Sequence, residues 1–179
     1  MFKLNFISEE NNNLYFHLSE QSSVNELPDF ELEDVVGKKV RLSDLRGKPV
    51  VLSFLRGFMW PYCRAQLARL RDGYEEFTGR GAEVIAVGPN SPIAFEQYWT
   101  NESIPFIGLP DPDHSVAKMY RQEVNIFKLG RMPLNCVIDA KGYVRFVNYG
   151  SSMADIPSNE EFLHVIDELN ASSEWHDST

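Results

Sequence analysis

Cysteine is scarce in this chain: Cys63 and Cys136 are the only two among 179 residues. Two cysteines cannot build a disulfide scaffold, and these two lack a paired metal-ligand spacing. Histidine is almost as thin. His17, His114, His164 and His176 are scattered so that no two have ligand spacing, and neither a metal nor any other cofactor is expected. Basic charge is in deficit, with 17 Lys and Arg against 26 Asp and Glu and a net charge of −9. That balance argues against a nucleic-acid partner, because phosphate binding is carried by a basic surface. Long apolar runs are missing too. No stretch approaches the ~18 residues of a membrane-spanning helix, and the N-terminus turns acidic at Glu9 and Glu10 before an apolar core of useful length. No membrane partner is expected, and the expected compartment is the cytoplasm.

The hydrophobic content of 43%, with 12% aromatic, suffices for one well-buried core and falls short of two domains. Residues 1–26 are polar, free of Gly and Pro, and read as an N-terminal extension. Its apolar islands, 2–7 and 14–18, are placed to pair as a hairpin across Glu9 to Asn13. The extension is either a loosely packed arm or an element of a homodimer contact. A single domain follows over 27–171, and a disordered tail over 172–179.

Within the domain, Leu27 to Leu42 alternates apolar and polar residues around Gly37, as a short hairpin does. Ser43 is placed to cap one helical turn that Gly47 stops. Pro49 to Leu55 is apolar without alternation, the pattern of a central strand covered on both faces. From Pro61, apolar residues fall at Cys63, Leu67, Leu70, Tyr74 and Phe77, a helical stripe reaching to Gly79. Ala82 to Val87 is a second buried strand, which makes a βαβ unit with parallel strands. Ser91-Pro92 opens a helix carrying Phe95, Tyr98 and Trp99. A strand over Ile104 to Leu109 follows, then a helix over Ser115 to Arg121 capped by Asp113. Pro133 leads an antiparallel hairpin through Lys141-Gly142, and Ser158 to Glu161 is a capping box opening a last helix.

The order of these elements resembles a thioredoxin fold. More narrowly, 27–170 is similar to the alkyl hydroperoxide reductase/thiol-specific antioxidant family, the peroxiredoxin-like redoxins. The resemblance rests on Leu27-Pro28-Asp29-Phe30, on Leu42 to Leu52, on Phe54-Leu55-Arg56-Gly57 before Trp60-Pro61-Tyr62-Cys63, on Asp111-Pro112-Asp113, and on Pro133 before Val137 to Gly142. It implies a mixed α/β fold with a central sheet flanked by helices, and an antioxidant thiol oxidoreductase acting on a peroxide with an external thiol reductant.

The site implied by the resemblance lies where helix N-terminal N–H groups lower a thiol pKa. In the Cys-Pro-Tyr-Cys frame the attacking position is Trp60, which cannot form a sulfenic acid, and Cys63 holds the second position. Peroxiredoxins carry Pro and Thr or Ser seven and three residues ahead of the reacting cysteine. Counted from Cys63 these positions are Arg56 and Trp60; counted from Trp60 they are Ser53 and Gly57. Such proteins also tend to have Arg where this chain has Pro133, which is expected to be cis. Two readings of Cys63 stand. It is a lone nucleophile, favoured as thiolate by Arg56 and Arg64, or it is a core residue whose burial raises its pKa. Trp60 either fills an emptied pocket or offers a stacking platform. If the thiol chemistry is lost, Trp60, Pro61, Met132 and Pro133 form a groove for a peptide or small molecule.

Overall fold

In the computed structural model, residues 8–10, 13–15, 27–125 and 130–174 are described. Strands β1 (Ser8–Glu10) and β2 (Asn13–Tyr15) pair antiparallel, and a second hairpin joins β3 (Glu31–Glu33) to β4 (Lys39–Arg41). Then come β5 (Val50–Phe54), α1 (Pro61–Asp72), α2 (Tyr74–Gly79), β6 (Glu83–Gly88), α3 (Pro92–Asn101), β7 (Ile107–Pro110) and α4 (Ser115–Met119). A small hairpin of β8 (Val124–Asn125) and β9 (Gly130–Arg131) precedes β10 (Leu134–Ile138), β11 (Val144–Tyr149) and α5 (Asn159–Glu174).

Five strands in the order β11-β10-β5-β6-β7 make the central sheet, and the β1–β2 hairpin extends it beyond β11. The run β5, β6, β7 is parallel, whereas β10 is antiparallel to both β5 and β11. This is the thioredoxin-like arrangement expected. It follows from the uninterrupted apolar strands, which must be covered on both faces. On one face Val51, Leu55, Val84 and Val137 pack with Leu67 and Leu70 of α1, Phe95 of α3, and Phe162 and Ile166 of α5. On the other, Leu52, Phe54, Ile85 and Cys136 pack with Phe30, Val116 and Tyr120. Burial of each such large side chain stabilises the fold by about 1.5–3 kcal/mol.

Several local expectations are corrected. The N-terminal hairpin pairs Glu10 with Asn13, a tighter connection than the one expected; the rest of both islands lies outside the described residues. The helix expected to run through to Gly79 breaks at Gly73, where φ −98° and ψ 9° leave the helical range; a Cβ there would lie 2.5 Å from the Asn159 side chain, whose Nδ2 donates to the carbonyl of Arg69. Ser43 does not cap a turn. It lies inside a 3-10 turn, Leu42–Leu45, with its hydroxyl and N–H donated to Asp29. The carboxylate that caps α4 is Asp111, not Asp113: it accepts the N–H groups of Ser115 and Ala117. The strand expected from Ile104 begins at Ile107, because Ile104 N–H and Phe106 C=O close a turn onto Trp99. Helix α5 runs past Ala171 to Glu174; residues 175–179 of the expected tail lie outside the described residues. No cis peptide occurs among the described residues, so Met132–Pro133 is trans. There the chain enters β10 with Met132 N–H bonded to Glu123 C=O, an extended path that suits the favoured trans isomer.

Candidate active site

Strand β5 delivers Arg56 and Gly57 to its C-terminal end, where the chain must turn to start α1. Gly57 has a φ of +122°, and a Cβ at this position would lie 3.1 Å from Asn90 Oδ1. That oxygen accepts the N–H of Phe58 at 3.1 Å, so glycine is required both by the backbone and by the approach of Asn90. Trp60 occupies the N-cap position of α1 in an extended conformation without capping through its side chain, and Pro61 takes the first helical position. Cys63 therefore falls in the first turn, where the helix field favours an anion.

Cys63 is 2% exposed and packs in the cluster of Leu55 and Leu67, against which the partly buried Phe58, Trp60 and Tyr98 also pack. Arg56 N–H donates to Cys63 Sγ at 3.3 Å. Burial pushes the thiol pKa up; the Arg56 and Gly57 backbone N–H groups and the Arg56 charge oppose that rise without cancelling it. The Arg56 guanidinium is itself buried, which lowers its pKa, and the neighbouring Cys63 partly offsets this. Its Cζ lies 3.8 Å from the centre of the Trp60 ring, a cation–π contact that makes the half-buried indole the outer cover of the arginine. Phe58 stacks on Tyr98 at 4.3 Å and completes the aromatic wall.

The expected residues divide into two groups. Arg56, Trp60, Pro61 and Cys63 come together, with Pro61 exposed beside the buried sulfur. Arg64 is exposed and does not join Arg56 at the thiol. Met132 and Pro133 are both buried. The carbonyl of Met132 accepts Gln122 Nε2, which also donates to the carbonyls of Phe54 and Leu55 and so fastens this loop to the end of β5. Cys136 sits on the opposite sheet face, with its thiol pushed up to about 12 by burial. Both cysteines are free.

His114 is at the left-handed N-cap of α4, and burial lowers its pKa. His164 is exposed on α5; His17 and His176 lie outside the described residues. Among the described residues no three His, Cys, Asp or Glu side chains gather as metal ligands, and no helix is long and apolar enough to cross a membrane.

The sequence reading missed the polar residues around the helix. Gln66, Ser53, Asn135 and Asn148 are buried in one connected hydrogen-bond chain. A signal was present for Gln66. It stands three residues after Cys63 and beside Leu67 on the apolar stripe, so helical periodicity turns it inward.

A family model described as the AhpC/TSA family matches residues 24–147. The chain is 31% identical over 144 residues to a protein named Peroxiredoxin Q, chloroplastic, from Populus jackii, an alignment covering 79% of this chain and 66% of that one. It is 33% identical over 144 residues to the protein of the same name from Triticum aestivum, covering 79% of this chain and 65% of that one. The chain thus spans a little less than two thirds of these relatives. Among solved structures, Peroxidoxin BcpB from Mycobacterium tuberculosis superposes with a TM-score of 0.70 at 23% identity, over 80% of this chain and 95% of that one. The reduced 2-Cys peroxiredoxin of Plasmodium vivax gives 0.73 at 20% identity, over 84% and 83%. At such identities the structural likeness speaks for the fold.

Proposed function

The chain belongs to the AhpC/TSA family, the peroxiredoxins, and on that ground we propose that it is a thiol peroxidase whose reacting atom is the sulfur of Cys63. The observation that carries this reading is the placement of Cys63 Sγ in the first turn of α1, with the N–H of Arg56 aimed at it from 3.3 Å. Helix field, N–H donor and buried guanidinium act in one direction, toward a thiolate; burial acts in the other.

In the reaction, the Cys63 thiolate attacks one oxygen of a hydroperoxide. The O–O bond breaks, the leaving oxygen departs as water or an alcohol once protonated, and Cys63 is left as a sulfenic acid. An external thiol condenses with the sulfenic acid, releasing water and forming a mixed disulfide. A second external thiol attacks that disulfide, leaving the external disulfide and the Cys63 thiol. Cys136 takes no part, because the sheet lies between the two sulfurs. In the dithiol frame, Trp60 stands where a partner cysteine would be, and its indole covers Arg56 instead.

One observation favours a second reading, a redox-inactive binding module: Cys63 is 2% exposed, and that burial raises its pKa. A groove for that module is narrower than the four residues named from the sequence, since Met132 and Pro133 are buried and leave Trp60 and Pro61 as its surface. Consumption of hydrogen peroxide with dithiothreitol separates the readings. Turnover that disappears in Cys63→Ser supports the peroxidase. No consumption above background by either the wild type or the variant supports the binding module.

A further inference from the structure

Residues 61–66, the first part of α1, turn only two side chains inward, those of Cys63 and Gln66; Pro61, Tyr62, Arg64 and Ala65 are exposed. The rest of the helix is fastened by Leu67 and Leu70 in the apolar core. The segment that carries the sulfur is therefore held down by a thiol and a carboxamide.

Gln66 Nε2 donates to Asn135 Oδ1 at 2.6 Å on β10 and to Ser53 Oγ at 3.2 Å on β5. The chain of bonds runs on from Asn135 to Asn148 at 3.5 Å, and from Asn148 to Asp155 Oδ1 at 3.3 Å. Ser53, Asn135 and Asn148, side by side on β5, β10 and β11, are completely buried and Gln66 of α1 nearly so, on an otherwise apolar sheet face. Apolar side chains there would hold the helix without the desolvation cost of amides. A polar contact differs in one respect: when the segment lifts, water replaces its hydrogen bonds, so separation costs only the net difference.

We propose that Gln66 is a positioning residue, a latch that ties the first turns of α1 to Ser53 and Asn135 and so sets how deeply Cys63 is buried. The inference rests on Cys63 being the reacting thiol, but it concerns the exposure of that sulfur and not its peroxide chemistry. Release of the latch frees the segment ahead of Leu67 while the apolar half of the helix stays in place.

The test is iodoacetamide labelling of the folded protein, with Cys63 and Cys136 quantified separately by peptide mass spectrometry. Cys136 is buried on the other sheet face and serves as an internal gauge of global unfolding. Gln66→Ala, which removes both bonds without adding apolar packing, should raise Cys63 labelling about fivefold, the factor given by roughly one net hydrogen bond, and leave Cys136 labelling unchanged. Ser53→Ala removes only the longer of the two bonds and should move Cys63 in the same direction by roughly two- to threefold; it keeps the test open if Gln66→Ala does not fold. An unchanged ratio of Cys63 to Cys136 labelling in the folded variants, whether both rates rise or neither does, overturns the latch. Peroxide is absent from the assay, so a chain inert toward peroxide still gives a readable result.

Discussion

The backbone N–H of Arg56 donates to the sulfur of Cys63 at 3.3 Å, joining the last turn of the chain out of the central strand to the first turn of the helix. The same residue adds its side-chain charge, which lowers the Cys63 pKa against the larger effect of burial.

The first prediction follows from that charge. In Arg56→Met the backbone donor remains and the charge is lost, so the Cys63 thiol should titrate at still higher pH. At neutral pH its alkylation should therefore slow. Arg56→Lys, which keeps the charge, should lie closer to the wild type. The pH dependence of Cys63 alkylation measures this, and a Met variant with an unshifted profile would contradict it.

A second prediction concerns Trp60. Its N-cap position and the first-turn position of Cys63 are those of a dithiol pair, so Trp60→Cys should form a 60–63 disulfide on mild oxidation, read as loss of free thiols at both positions. A folded variant whose two thiols stay free would show that the positions are not matched for a bridge.

The fold was largely legible, for reasons visible in particular stretches. Pro49 to Leu55 lacks alternation because both faces of β5 are covered, and the stripe at Cys63, Leu67, Leu70 and Phe77 marks the buried sides of α1 and α2. What stayed hidden depended on distant partners. Nothing local at Gly73 announces Asn159, and nothing local at Asp111 shows that it, and not Asp113, caps α4. At the site, the burial of Cys63 and its raised pKa could be read from the stripe. The contact of Arg56 with Trp60, and the polar chain from Gln66 to Asp155, arise from tertiary approach and could not.

Cys136 gives a prediction about stability and pH. Its folded pKa of about 12 lies above the roughly 8.5 of an unfolded thiol. The sign follows from the protons bound: between those values the native state keeps a proton that the unfolded state loses, so stability falls as pH rises. The contribution is about 1.4 kcal/mol per pH unit. Urea unfolding across that window should show a shallower decline in Cys136→Ala than in the wild type. Parallel declines would contradict the burial of this thiol.

Gly108 supports the wall behind the site. A Cβ there would lie 2.4 Å from the ring of Trp99, which is held by its Nε1 donating to Phe106 C=O at 2.7 Å. The ring cannot swing away without losing that bond, so Gly108→Ala should destabilise the protein by about 1–3 kcal/mol. A urea midpoint equal to that of the wild type would contradict this packing.

The central claim, that Cys63 is the reacting thiol and acts without Cys136, meets its most direct test in hydrogen peroxide consumption with excess dithiothreitol. Wild type, Cys63→Ser and Cys136→Ala should be compared after each is shown to be folded. The predicted result is turnover in the wild type, turnover retained in Cys136→Ala, and none above background in Cys63→Ser. Turnover that survives in Cys63→Ser, or is absent from the wild type, would contradict the account.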